Sequence, residues 1–190
     1  MKRIMSSVAV AVAAVAVCGW ANAQEVSKTQ SAEYEHLKVL EPMVGNYHGE
    51  WSNNEAGEVG EMALTISWND PKNMLIAESK SRTLEASTKR PKSEWTPGIR
   101  QYYVWNHQEN RIEHIDIQAW SGAVVVYEVA AKGDAVYSYS LLRTTGLPGG
   151  KADITMIATD RDLTAKITSI RTPDGGTLDD MEWKAQRVKK

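Results

Sequence analysis

The stretch "EMALTISWNDPKNMLIAESKSRT", residues 61–83, contains the fold in miniature. Met62, Leu64, Ile66 and Trp68 alternate with Glu61, Ala63, Thr65 and Ser67, the period of two expected for a strand buried on one face. Residues 69–73, NDPKN, then supply turn chemistry through Asn, Asp and Pro. A second strand starts at Met74. Strand, short polar turn and strand form a hairpin, and most of the chain reads in that unit.

Strands are expected at 46–53, 61–68, 74–83, 99–106, 111–120, 123–131, 135–143, 152–159, 163–171 and 177–188. Nearly all are joined by connections of hairpin length, and no second helix is long enough for a parallel crossover. Ten sequential antiparallel strands close into an up-and-down β-barrel, which removes exposed edges; an open sandwich is the alternative. Ahead of the strands, Ser31 can cap a short helix, with Glu33 and Glu35 in its first turn. Tyr34, Leu37 and Leu40 form its apolar stripe, and Pro42 and Gly45 end it. So short a helix must dock onto something to persist. The fold class is therefore all-β, a ten-stranded antiparallel up-and-down barrel with a short N-terminal helix.

The N-terminus reads as an export signal. Lys2 and Arg3 precede an apolar run from Ile4 to Val17, and Ala21-Asn22-Ala23 is a small-x-small cleavage pattern that leaves Gln24 first. The run is short for a membrane span, and Val17 ahead of Cys18 is a poor lipidation context. The expected organisation is a signal peptide at 1–23, a leader at 24–32 and one barrel domain at 33–190, placed in the periplasm or secreted, with no stable membrane span after cleavage. Cleavage removes the only cysteine and two basic residues, so the mature chain is more acidic than the −2 of the whole. A disulfide, a thiolate metal site and a cysteine nucleophile are excluded, and the acidity argues against nucleic acid as a partner. The chain has no phenylalanine but seven tryptophans and seven tyrosines. Each of these carries a polar handle suited to the wall of a wet cavity.

Few motifs point to chemistry. No G-x-S-x-G is present, and "GLPGGK" (146–151) has the wrong spacing for a phosphate loop and lacks the Ser or Thr. His114 and Asp116 share one face of a strand, and with His107 across the turn they form a candidate metal or acid–base cluster. The opposite face carries Ile115, Ile117 and Ala119, so alternation puts His114 and Asp116 in solvent. Asp179 and Asp180 are adjacent on a strand and point apart. His48 and Glu50, in "VGNYHGEW" (44–51), share a face that is expected to meet solvent. Strand parity groups Tyr103 with Trp105, Tyr137 with Tyr139, and Trp183 with Ala185 and Arg187. With Trp68 these give a candidate cavity wall. The long connection 84–98 carries Trp95 with Lys89, Arg90 and Lys92, and is read as a flap that brings Trp95 to the barrel mouth.

A signal peptide, a helix ending in Pro-x-x-Gly, the GNYHGEW opening, nine further hairpin-linked strands and a last strand with Trp183 and Arg187 resemble the lipocalin and fatty-acid-binding-protein superfamily, the calycins. More narrowly, the chain resembles small secreted bacterial lipocalin-like domains of unknown function, over roughly residues 33–188. The resemblance implies that the aromatic of the opening motif, here Tyr47 in place of tryptophan, packs at the closed base, with Arg187 across its ring. Haem barrels of related shape ligate iron through a C-terminal histidine. Here the last histidine is His114, so neither haem nor any other cofactor is expected. The expected function is non-covalent binding of a small amphipathic or apolar molecule. The alternatives are a lipocalin-like enzyme working through His114 and Asp116, or a filled barrel that binds envelope proteins. A metal site is not expected.

Overall fold

Ser31 accepts a hydrogen bond from the Tyr34 amide at 3.2 Å and caps helix α1 (Ala32–Leu37). The helix gives way to a 3-10 segment, Lys38–Met43, which contains Pro42. In this computed structural model, residues 31–53, 58–119, 121–145, 151–171, 176–177 and 180–189 are described. The export signal, most of the leader, Trp120, the 146–150 loop and Asp179 lie outside them.

Ten strands follow: β1 (Gly45–Asn53), β2 (Glu58–Trp68), β3 (Met74–Leu84), β4 (Thr96–Asn106), β5 (Arg111–Gln118), β6 (Val124–Gly133), β7 (Val136–Thr145), β8 (Lys151–Ala158), β9 (Asp162–Arg171) and β10 (Met181–Arg187). Each pairs antiparallel with its sequence neighbours, and β10 returns to β1, so the sheet is a closed barrel. The quoted hairpin behaves as its pattern demands: Leu64 and Ile66 are buried, whereas Thr65 and Ser67 are exposed.

The helical segment closes one end. Leu37, Leu40 and Met43 are fully buried, each worth roughly 1.5–3 kcal/mol of apolar burial. Side chains from around the barrel tie it in place. Tyr47 Oη donates to the Met43 carbonyl at 2.8 Å, and Tyr137 Oη to the Val39 carbonyl at 2.8 Å. Trp68 Nε1 donates to Glu41 at 2.7 Å, and Tyr34 meets the Trp68 ring edge-on at 5.1 Å. His36 stacks on Trp105 with centroids 3.9 Å apart.

Tyr47 is buried at this base, and the Arg187 guanidinium lies 4.9 Å from its ring centroid. Arg187 also donates to the carbonyls of Val44 and Pro42, the latter at 2.7 Å. A Cβ at Gly45 would meet Arg187 Nη1 at 2.6 Å, and one at Gly49 would meet the Lys184 carbonyl at 2.8 Å. The two glycines of the opening motif thus let β10 and its arginine close against β1. His48 and Glu50 point outward, His48 towards Glu61 at 2.7 Å.

One strand corrects its expected orientation. His114 is only 4% exposed and faces the interior, while Ile117 is 36% exposed on the outside. The register gives the reason. His114 sits opposite Tyr103 on β4 and Tyr127 on β6, both inward, and Ile112 shares its face. Ile115 lies outside between Tyr102 and Val126, and this outer apolar row misled the alternation.

Tyr47→Phe is expected to cost about 1–3 kcal/mol, because the buried Met43 carbonyl loses its donor. Urea unfolding checks this, and an unchanged midpoint contradicts it.

Candidate functional site

Above the helical plug lies an interior cavity of about 330 Å³. Strands β2, β8 and β9 give it Met62, Leu64, Ile66, Ile154, Met156, Leu163, Ala165 and Ile167, an apolar side made by alternation. The facing side comes from β4, β5, β6 and β7: Ile99, Gln101, Tyr103, His114, Asp116, Tyr127 and Tyr139. Ser79 and Trp183 complete the wall.

Rings surround His114. Tyr103 stacks on it at 4.5 Å between centroids, Tyr127 lies at 5.7 Å and Tyr139 meets it edge-on at 5.3 Å. The Tyr103 and Tyr139 hydroxyls are 3.1 Å apart, and Tyr139 also donates to Met156 Sδ at 3.4 Å. Burial raises the pKa of both tyrosines. Burial also pushes His114 down to about 3, so its imidazole is neutral at physiological pH. It raises Asp116 from its ordinary value, opposed by a hydrogen bond from Gln101. No lysine or arginine is among the described lining residues.

Both His114 ring nitrogens, Asp116 Oδ1 and Trp183 Nε1 are buried without a hydrogen-bond partner in the protein. Each such group costs about 1–3 kcal/mol when left unpaired. All three residues line the cavity. Their polar atoms add unpartnered donors and acceptors to a largely apolar wall that also holds Ser79, Gln101 and the tyrosine hydroxyls.

Of the wall expected from sequence, the structure brings Tyr103, Tyr139 and Trp183 together here. Trp68, Trp105 and Tyr137 face inward but lie lower, packed against the helical segment. Parity fixes a side chain's face, not its depth along the barrel. Trp95 is on the outer wall, not at the mouth, with Lys80 5.1 Å and Arg82 4.6 Å from its rings. The connection before it is folded on itself through a Leu84–Pro91 bridge and a Glu85–Arg90 backbone bond. His107 does not join His114. It pairs with Glu33 at 3.2 Å beside the helix. Among the described residues no group of three potential ligands could hold a metal ion. Sequence reasoning missed Tyr127 and the β8–β9 wall. Their alternation, Ile154 and Met156 against Asp153 and Thr155, was the available signal.

No protein-family model matches the chain, and no curated protein matches it. What the cavity can do is set by its own walls.

The neutral burial of His114 has a measurable consequence. Its folded pKa of about 3 lies below the ~6.5 of the unfolded chain, so the unfolded state takes up the proton first. Stability therefore falls as pH drops from ~6.5 towards 3, by up to ~1.4 kcal/mol per pH unit from this group. Asp116, raised in the folded state, acts in the opposite sense and loses stability as pH rises through its own range. Replacing His114 with Phe is expected to flatten the decline between pH 6 and pH 4 in urea unfolding, and an unaltered slope contradicts this.

Proposed function

We propose that the protein is an exported, lipocalin-like carrier that binds a small amphipathic or apolar molecule without altering it. One observation carries the reading: a closed barrel, plugged at one end, holds a cavity of about 330 Å³ whose unpartnered polar atoms sit among apolar walls. That volume is at the lower end of the range for small-molecule sites, and a few polar groups on an apolar lining are their usual make-up. A cavity of this size weighs against the filled-barrel alternative. Export is supported by the basic start, the apolar run and the Ala21-Asn22-Ala23 pattern, and sequencing of the mature protein is expected to begin at Gln24.

A second reading draws on the inward turn of His114 and Asp116. A neutral imidazole beside a carboxyl of raised pKa can pass a proton to or from a bound molecule. It requires that a molecule taken up be recovered chemically changed.

Native mass spectrometry of the purified mature protein is expected to show a co-purifying mass of less than a few hundred daltons, in keeping with the cavity's volume. Trp183 in the wall is expected to report added hydrophobes by a change in emission that Trp183→Phe abolishes. Ala165→Phe, which projects a ring into the cavity, is expected to weaken binding at least about tenfold. Repeated recovery of bare protein, with no emission change across a hydrophobe panel, counts against the carrier.

A further inference from the structure

We infer that the molecule the cavity takes is an amphipathic amine, its protonated nitrogen received by Asp116 among the rings of Tyr103, Tyr127 and Tyr139 and its apolar body lying against β2, β8 and β9. This rests on the carrier reading above and narrows it.

The first argument is charge. Among the described lining residues Asp116 is the one acid, and no lysine or arginine is there to balance it. A fatty carboxylate would bring a second negative charge into an apolar enclosure with nothing to meet it. A cation supplies what the wall lacks, and it favours the ionised form of Asp116 that burial alone disfavours.

The second argument is hydrogen bonding. Asp116 Oδ1 is buried without a partner, and so is the acceptor nitrogen of the neutral His114 two residues away on the same face of β5. A primary ammonium has three donors and no acceptor. It satisfies both atoms at once, which a carboxylate cannot do.

The third argument is the ring faces. Tyr103 and Tyr127 sit on the strands that flank β5, both opposite His114, one register step from Asp116. The negative charge of Asp116 is felt at both phenols. Aromatic faces beside a carboxylate attract a cation through the ring quadrupole, most strongly when desolvated. An alcohol of the same length has a single donor, so it meets one of the two acceptors and gains nothing from this attraction.

The test compares octylamine, 1-octanol and octanoate at neutral pH by titration calorimetry and Trp183 emission. Octylamine is expected to bind at least about tenfold tighter than octanol, with octanoate weakest. Asp116→Asn is expected to bring octylamine down to the level of octanol. The variant removes a buried acid, so it is expected to fold, and the comparison in the unaltered protein does not depend on it. Octanol or octanoate binding as tightly as octylamine, or octylamine affinity unmoved by Asp116→Asn, overturns the amine while the carrier stands. Failure of all three to bind overturns both.

Discussion

The Arg187–Tyr47 contact holds the molecule closed. β1 and β10 share a short register, Tyr47 opposite Arg187 and His48 opposite Gln186. Backbone pairing at that seam is thinner than between β1 and β2, which pair along nine residues. The guanidinium over the tyrosine ring adds about 0.5–2 kcal/mol of cation–π attraction. Its hydrogen bonds to the carbonyls of Pro42 and Val44 fasten the helical segment to the same point. Strand closure and base closure are thus one event. An open seam would expose two strand edges and unseat Leu37, Leu40 and Met43 together.

Closure at the base leaves the interior free to be imperfect higher up. The lower layer follows the rules of a packed core: Tyr47, Tyr137, Leu75 and Met43 are fully buried, and the Tyr47 and Tyr137 hydroxyls have their partners. The upper layer breaks them. A histidine with two unsatisfied nitrogens, an aspartate with one unsatisfied oxygen and an indole N–H share a cavity that hydrophobic side chains would fill more stably. A sequence that specifies one structure departs from such rules chiefly where function requires it. The cost falls on the part of the barrel that the base does not depend on.

How far the sequence disclosed this depends on which physical quantity each residue reports. Alternation in β2 reports burial directly, so its inner face was legible, and so were the ten strands, because turn residues punctuate nearly all of them. Ser31 as a helix cap was legible because capping is local. In β5, alternation reported hydrophobicity alone. Ile115 and Ile117 outweigh His114 and Asp116 on that scale, yet pairing with β4 and β6 sets which face is inward. Trp68, Trp105 and Tyr137 were assigned to the correct face and the wrong depth. Only the docking of a six-residue helix and its 3-10 extension shows where the core ends and the cavity begins. Trp95 follows a connection with no periodicity, and its seat between Lys80 and Arg82 is a long-range contact that no local pattern encodes.

The opening motif shows how one stretch serves both ends of this division. Tyr47 points inward to the base, and Gly45 and Gly49 admit Arg187 and β10 on the same face. His48 and Glu50 face away, where His48 joins Glu61 and Arg82 in an outer ladder that stiffens β1–β3. The motif's conspicuous polar residues thus do no interior work. Unpartnered polar atoms of the interior belong instead to His114 and Asp116, in a strand whose hydrophobic residues advertise the opposite orientation. Among the described residues, fully buried side chains seal the base, which leaves the far end of the barrel as the way to the cavity. Within the cavity, Gln101 and Asp116 lie one inward pair farther from the plug than Tyr103 and His114.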